Sequence, residues 1–270
     1  MKNKASQRAG SLIHPFLNTY RRVSARDLMR EWERWWANAS DDYMMVEVQL
    51  IHPIRSLMAE EAKVGENVLD VACGQCISYP FFRKAGLRYV GLDITKKFID
   101  FSRERYPDIV LYEANALNMP FADDSFDTVC CKDLLEHLNP GDVPTLISEM
   151  WRVTKLKMMI AFFIPPWDRP AYIGPLSGFG YVNQYNKRDI AALIRDLKDI
   201  DEMKIKWVRT DAAIKLNWPP GEKRIMHAPL YIITKKTSQN GAPTTYQKDG
   251  LKFTQNYLRS ARAPSPRIIR

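Results

Sequence analysis

The stretch VLDVACGQC, residues 68–76, constrains the fold more than any other part of the sequence. Residues 68–71 read as a short buried strand, and this strand breaks directly into a loop of small residues. Small side chains leave the main chain uncovered, so a ligand can approach such a loop closely. Glycine is the usual residue in these loops, whereas this one has Ala72, Gly74 and Cys76. The stretch predicts either a strand-loop-helix unit with a ligand-binding turn or a tight turn with two cysteines.

Apolar strand patterns alternate with amphipathic helix patterns from Asn67 onward. The predicted strands are 67–72, 88–94, 109–114, 126–132, 158–164, 202–209 and 229–236, and the predicted helices are 24–40, 77–85, 95–105, 142–154 and 187–197. Strands that alternate with helices are typical of a parallel α/β sheet, and continuous apolar strands indicate that helices cover both of its faces.

The length of 270 residues is enough for one large domain with additional segments. We expect residues 1–63 to form an N-terminal tail and helical cap, residues 64–237 to form the main domain, and residues 238–270 to form a flexible basic tail. Residues 165–185 are rich in proline and aromatic side chains and are long for a connector, which is typical of a lid.

The net charge of +9 is concentrated at the two ends of the chain. Residues 1–30 have seven Lys or Arg against one Asp, and residues 235–270 have eight against one. The body between them is mildly acidic, which argues against a nucleic-acid partner, while the basic tails are compatible with weak contact with a membrane surface. The sequence leaves the oligomeric state open.

Hydrophobic patterning and cysteine usage predict a cytoplasmic protein without a transmembrane segment. No apolar run approaches the roughly 20 residues of a membrane span, and the polar start MKNKASQRAG has no signal-peptide core. Four cysteines in two close pairs are too few for the disulfide framework of a small secreted protein.

Polar residues follow the first four predicted strands, at the sheet edge where parallel α/β proteins bind ligands. These residues are Asp70 with the loop 72–76, Asp93, Asn115, and Lys132 with Asp133. Asp93 ends the second strand about 20 residues after the loop, where a carboxylate can accept hydrogen bonds from both hydroxyls of a ribose. A helix N-cap is the alternative role for Asp93, but Thr95 already fills it.

The charge next to the loop discriminates between cofactors. Nicotinamide dinucleotides prefer G-x-G-x-x-G with the pyrophosphate at the helix N-terminus. This chain has A-x-G-x-C instead, and the carboxylate of Asp70 directly before the loop would repel a pyrophosphate. The same carboxylate would attract a cation, which favours S-adenosylmethionine with its sulfonium and amino groups.

Four segments together resemble the successive motifs of class I S-adenosylmethionine-dependent methyltransferases, of the branch that acts on small molecules. The segments are VLDVACGQC, GLDIT, EANALNMPFADDSFDTVCCKDLLEHL and EMWRVTK. The resemblance covers about residues 64–165. It implies a Rossmann-like, seven-stranded, mostly parallel sheet with the last strand antiparallel, together with N-terminal helices. It also implies transfer of a methyl group from S-adenosylmethionine to a small-molecule acceptor.

The resemblance further implies a set of cofactor contacts. Asp70 and Gly74 would border the methionine end, and Asp93 would hold the ribose. Ile94 would pack on the adenine, and Asn115 lies where an aspartate often meets the adenine amino group, a bond that an asparagine carbonyl can also accept. The full set of expected cofactor-binding residues is Asp70, Ala72, Cys73, Gly74, Asp93, Ile94, Asn115, Ala116 and Lys132.

His137 follows the fourth strand, near the expected methyl group. It is a candidate general base for an oxygen or nitrogen nucleophile. The alternative is a histidine at a helix start that shapes the pocket. Both interpretations stay open, because methyl transfer to an already nucleophilic acceptor depends mainly on alignment and does not require a base.

The cysteines form a C-x-x-C pair, Cys73 and Cys76, and an adjacent pair, Cys130 and Cys131. Adjacent residues on a strand point to opposite faces of the sheet, so the second pair cannot turn to one metal ion. We therefore expect no metal site and interpret these cysteines as small buried hydrophobic residues.

Two other functions compete with a small-molecule methyltransferase. A degenerate cofactor-binding or partner subunit of the same fold would account for the unusual Cys76 and Asn115. A nucleic-acid methyltransferase is favoured by the basic tails, but the segment after the fourth strand, KDLLEHL, lacks the Asn/Asp-Pro-Pro-aromatic tetrad of that class.

Overall fold

The computed structural model describes residues 53–62, 66–162, 165–166, 168, 171–176, 180–210, 226–236 and 254–258. The predicted helix at 24–40 lies outside these ranges, as do most of the N-terminal segment 1–63 and most of the tail 238–270.

Ten strands and five helices lie in the described ranges. The strands are β1 (Asn67–Val71), β2 (Arg88–Asp93), β3 (Val110–Glu113), β4 (Phe126–Lys132), β5 (Thr154–Ala161), β6 (Ala171–Leu176), β7 (Gly180–Gln184), β8 (Ile200–Thr210), β9 (Met226–Lys235) and β10 (Thr254–Leu258). The helices are α1 (residues 53–61), α2 (Tyr79–Lys84), α3 (Lys96–Arg105), α4 (Val143–Val153) and α5 (Lys187–Arg195), and a 3₁₀ turn spans Leu135–His137.

The main sheet has the strand order β10-β8-β9-β5-β4-β1-β2-β3. Its strands pair in parallel except for β9, which is antiparallel to both β5 and β8. The predicted Rossmann-like sheet, with the last of its seven strands antiparallel, is confirmed. The eighth strand, β10, comes from the tail 238–270 and pairs in parallel with β8. The sequence pattern predicts no strand there, because TQNYL has no apolar alternation.

The chain runs outward through β1, β2 and β3 and then returns to place β4 on the other side of β1. The topological switch point therefore lies between β1 and β4. Their register pairs Val71 with Cys131, so Ala72 lies level with Lys132 at the carboxyl ends of the two strands. This is the edge at which open α/β sheets bind their ligands.

Hydrophobic clusters cover both faces of the sheet. One is built on α4 and α5 and includes Ile147, Met150 and Ile194, and the other is built on α1, α2 and α3. Cys131 belongs to the first cluster and Cys130 to the second, so the two thiols lie on opposite faces as strand alternation predicts. Complete burial of each large apolar side chain contributes about 1.5–3 kcal/mol before entropy costs.

Helix α1 is a described part of the predicted N-terminal helices. Two lysines of the sheet bind the C-terminal end of α1. Lys157 donates to the carbonyl of Glu61, and Lys206 forms an ion pair with the carboxylate of Glu61. Ile54 and Met58 on the same helix are fully buried. The helix is therefore an integral layer of the fold. No helix in the described ranges is long and apolar enough to cross a membrane.

The Pro- and aromatic-rich insert contains the antiparallel hairpin β6–β7, which forms a two-stranded sheet of its own. The side chain of Asn183 donates to the carbonyl of Leu138 at 2.8 Å, and the hydroxyl of Tyr185 donates to the carbonyl of Leu135 at 2.9 Å. The hairpin is thus anchored to the segment that follows β4. The sequence pattern indicated only a long loop here.

Candidate functional site

The loop after β1 is held in an unusual backbone conformation. Ala72, Gly74 and Cys76 have φ angles of 57°, 52° and 55°, in the left-handed region that glycine prefers. The N–H of Cys76 donates to the carbonyl of Cys73 at 2.9 Å, which closes the turn. A methyl group added at Gly74 would meet no other atom within 4 Å. The loop therefore presents bare main chain to open space, as a ligand cradle requires.

Asp93 joins this loop to the end of β2. Its Oδ2 accepts the N–H of Gly74 at 2.9 Å, and its Oδ1 accepts the N–H of Thr95 at 2.8 Å. Burial raises the pKa of Asp93, and these backbone hydrogen bonds oppose that shift. The side chain of Thr95 and the N–H of Ile94 also interact with this carboxylate, so a ligand would share its two oxygens with these protein donors. Asp93 thus fixes the start of α3 and remains chemically able to bind a ribose.

Asp70 lies beneath the loop, in the interior. Its Oδ2 accepts the hydroxyl of Tyr89 at 2.8 Å, and the thiol of Cys130 donates to Oδ1 at 3.7 Å. Burial raises the pKa of Asp70, opposed by the bond from Tyr89 and by the positive charge of Arg55 on α1. Arg55 also donates to Ser78 at 3.1 Å, at the far end of the loop. Asp70 therefore joins β1 to β2 and β4 beneath the loop.

The two loop cysteines contact each other. The neighbouring thiol of Cys76 and burial together raise the pKa of Cys73 well above its usual value. Cys76 is fully buried within the cluster that covers this face of the sheet, and all four cysteines are free. Because thiols react as thiolates and the raised pKa of Cys73 disfavours its thiolate, we interpret the two cysteines as small packing residues.

We predict that Cys76→Gly is about 1 kcal/mol more stable than Cys76→Ala. Both variants lose the buried thiol, but only glycine relieves the left-handed backbone, which costs an ordinary residue about 1–2 kcal/mol. This order is the reverse of that in a helix interior, where alanine is favoured. Urea unfolding of the two variants measures the difference, and an alanine variant that is more stable than the glycine variant would contradict the prediction.

Residues on the expected adenine side follow β2 and β3. Ile94 and Ala116 are half-buried, and Asn115 is exposed. The Oδ1 of Asn115 accepts the N–H of Leu117 at 2.9 Å, and the Asn115 carbonyl accepts the N–H of Asn118. The oxygen that the sequence analysis assigned to adenine thus already closes a local turn, and its second lone pair remains for a ligand.

The segment after β4 brings three ionisable side chains to the switch point. Lys132 is buried and forms an ion pair with Asp133. Asp133 has a φ of 62°, and its N–H donates to the carbonyl of Ala161 at 3.1 Å. His137 follows in the 3₁₀ turn and is only 7% exposed. No described residue donates to the buried Oδ1 of Asp133, a feature that the sequence pattern could not reveal.

The donor and acceptor set of the edge fits S-adenosylmethionine better than a dinucleotide. The oxygens that carry this fit are the carboxylate of Asp93 and Gln75 Oε1, which is buried without a hydrogen-bond partner in the described part of the chain. Such oxygens attract hydrogen-bond donors and cations and repel phosphate. With the carboxylate of Asp93 at the ribose position, the edge offers an acidic cradle around bare main chain.

Comparison with protein families gives one match, over residues 69–162, to the family described as "Methyltransferase domain". A demethylmenaquinone methyltransferase of Renibacterium salmoninarum is 38% identical over 108 residues, which cover 39% of this chain and 45% of the relative. The enzyme of the same name from Beutenbergia cavernae is 34% identical over 115 residues, covering 42% and 47% of the two chains. The matched part thus spans less than half the length of these relatives.

Solved structures share the fold. A 1,6-didemethyltoxoflavin-N1-methyltransferase of Burkholderia thailandensis, with its substrate and S-adenosylhomocysteine bound, aligns with a TM-score of 0.59 at 11% identity over 81% of this chain and 93% of that chain. A magnesium protoporphyrin IX methyltransferase of Synechocystis with bound S-adenosylmethionine aligns with a TM-score of 0.53 at 15% identity, covering 84% and 97%. At these identities the likeness shows the fold.

Proposed function

We propose that this chain, which carries a class I S-adenosylmethionine-dependent methyltransferase domain, transfers the methyl group of S-adenosylmethionine to a small-molecule acceptor. The observation that carries the proposal is the clamp between Asp93 and the N–H of Gly74, which holds a left-handed loop open at the switch point. We propose residues 64–237 as the main part of the domain, to which the flanking segments 1–63 and 238–270 add helix α1 and the edge strand β10.

S-adenosylmethionine supplies an electrophilic methyl group on a positively charged sulfur. For this chain we propose that Asp93 binds the ribose hydroxyls and that the main chain of residues 72–74 lines the methionine end. Ile94 and Ala116 flank the adenine, and Asn115 meets its polar edge. Asp70 acts beneath the loop by joining β1 to β2 and β4, because both of its oxygens have partners on those strands.

Two residues after β4 complete the proposed site. Lys132 lies level with Ala72 across the switch point, so its main chain borders the methionine end. His137 is a candidate base, and its burial in the 3₁₀ turn equally suits a residue that shapes the pocket. A base is not required for methyl transfer to an acceptor that is already nucleophilic.

A ring compound is the acceptor class that the relatives support. The relatives named above are demethylmenaquinone methyltransferases, and the best-aligned structure described above contains 1,6-didemethyltoxoflavin. Both named compounds are ring systems. We propose the cytoplasm as the compartment because the four cysteines are free thiols. The basic tails would supply weak contact with a membrane surface.

Calorimetric titration with S-adenosylhomocysteine, followed by a methyl-transfer assay with labelled S-adenosylmethionine and 1,4-dihydroxynaphthalene, tests the proposal. We expect binding of the cofactor product and transfer of label to the ring compound. Absence of S-adenosylhomocysteine binding would overturn the proposed function. Binding without transfer to any ring acceptor would favour a degenerate cofactor-binding subunit.

A further inference from the structure

The end of β4 carries a charged oxygen for which the described part of the chain supplies no hydrogen-bond donor. Asp133 forms its ion pair with Lys132 through Oδ2, while the buried Oδ1 accepts no bond from any described residue. A buried acceptor left unsatisfied costs about 1–3 kcal/mol, and more when it is charged. Buried polar atoms in native proteins almost always have a partner, so this oxygen is open to a donor from a bound group.

The backbone of Asp133 points to the same conclusion. Its φ of 62° lies in the left-handed region, which side-chain-bearing residues rarely adopt although aspartate tolerates it better than most. The bond from its N–H to the carbonyl of Ala161 on β5 holds this conformation. Residues kept in sparsely populated conformations cluster at active sites and ligand clamps.

Asp133 also lies between the cofactor cradle and the insert. The pairing of Val71 with Cys131 places it one residue beyond the level of Ala72 in the neighbouring loop. The 3₁₀ turn that follows is bound to the hairpin through Asn183 and Tyr185. Along the chain, Asp133 thus lies between the strand end beside the cradle and the segment that is bonded to the hairpin.

We propose that Asp133 Oδ1 binds a hydroxyl group of the methyl acceptor, and hence that the acceptor is a neutral, hydroxylated ring compound. This inference rests on the proposed function. A hydroxyl supplies the donor that the oxygen lacks, whereas a thioether, an alkene or a bare ring supplies none. Lys132 already neutralises the carboxylate and disfavours a cationic amine beside it.

The test is a calorimetric titration of 1,4-dihydroxynaphthalene, kept reduced, into protein saturated with S-adenosylhomocysteine. Asp133→Ala should weaken binding of the diol by roughly tenfold to a hundredfold, since a bond to a charged acceptor is worth about 1.5–3 kcal/mol. Asparagine also tolerates a left-handed backbone. Asp133→Asn should lose less affinity for the diol, because the neutral amide oxygen still accepts a hydrogen bond from its hydroxyl. The affinity of both variants for S-adenosylhomocysteine should stay within about twofold of wild type, as no cofactor contact is removed.

Asp124→Ala is the matched control. Asp124 also has a left-handed φ of 55° and an ion pair with a lysine, Lys235 at 2.6 Å, but it precedes β4 at the opposite edge of the sheet. Its replacement should leave the affinity for the diol unchanged. If Asp133→Ala does not fold, the affinity of Asp133→Asn for the diol is compared with that of the wild type instead.

Equal affinities of wild type and Asp133→Ala for the diol would overturn the inference. So would a wild type that binds S-adenosylhomocysteine but not the diol. A fall in S-adenosylhomocysteine affinity on Asp133→Asn would also overturn it, because the oxygen would then serve the amino group of the cofactor. A wild type that does not bind S-adenosylhomocysteine refutes the proposed function instead, so the two failures are distinguishable.

Discussion

Replacing Asp93 with alanine is expected to weaken S-adenosylhomocysteine binding by roughly tenfold to a thousandfold and to lower the free energy of unfolding by about 2–4 kcal/mol. The variant removes the proposed contacts with the ribose hydroxyls. It also leaves the N–H groups of Gly74 and Thr95 without their acceptor, so the loop and the start of α3 lose their shared anchor. Calorimetry and urea unfolding measure the two effects separately.

Asp127→Ala provides the control for this variant. Asp127 accepts the backbone N–H of Asn67 at 3.2 Å, but it does so at the opposite edge of the sheet. Its loss should reduce stability and leave cofactor affinity unchanged. Equal losses of affinity in the two variants would show that Asp93 acts through stability alone. Unchanged affinity for S-adenosylhomocysteine in a folded Asp93→Ala protein would contradict the assignment of Asp93 to the ribose.

The affinity of the wild type should also depend on the ionisation of Asp93. Because burial raises the pKa of this carboxyl, it takes up a proton at a less acidic pH than an exposed aspartate does. Protonation reduces its capacity to accept hydrogen bonds, so binding should weaken as the pH falls through the raised pKa. The effect on stability has the opposite sign, since a raised pKa in the folded state favours folding of the protonated form. The alanine variant should lose this pH dependence of binding.

Gly91→Ala is expected to cost about 1–3 kcal/mol of stability and to lower cofactor affinity several-fold, as overpacking does in a filled core. A Cβ at this position of β2 would lie 2.6 Å from Leu111 Cδ2 and 2.9 Å from Cys73 Sγ. Both side chains have to move, and the shift of Cys73 displaces the loop 72–76. Urea unfolding and calorimetry with S-adenosylhomocysteine measure the two outcomes.

Leu111→Ala tests whether the clash is the cause. On its own, truncation of this buried leucine destabilises the protein, by about 2–5 kcal/mol in typical cores. In the double variant with Gly91→Ala, the truncated side chain makes room for the added methyl group. The stability loss of the double variant should therefore be about 1 kcal/mol smaller than the sum of the two single losses. Strict additivity would show that the methyl group does not press on Leu111.

The sequence predicted the sheet well where apolar and polar residues separate cleanly. Strand β4 has its predicted bounds, because its apolar centre ends at a lysine and a left-handed aspartate. Strand β5 begins at Thr154, four residues before the prediction, since Lys155 and Lys157 conceal its pattern. The hairpin escaped prediction because its prolines and glycines are typical of loops.

The positions of the site residues followed from the strand ends, but their orientations did not. Asp70 stands at the predicted edge, yet its carboxylate turns inward to the hydroxyl of Tyr89, which lies 19 residues further along the chain. The unsatisfied oxygen of Asp133 depends on which donors surround it after folding. Such facts come from tertiary packing, which a one-dimensional pattern does not encode. The role of His137 stays a prediction.

The hairpin β6–β7 forms its own small sheet. The insert is joined to the segment after β4 by hydrogen bonds to the carbonyls of Leu135 and Leu138. Those carbonyls are main-chain groups, so these hydrogen bonds do not depend on which side chains the segment after β4 carries. An insert of another sequence that keeps side-chain donors at positions 183 and 185 could therefore be exchanged here without any change in the segment after β4. The hairpin is thus a separable unit of the fold, and exchanging it for the corresponding segment of a structural relative would test whether it sets the preference for the proposed acceptor.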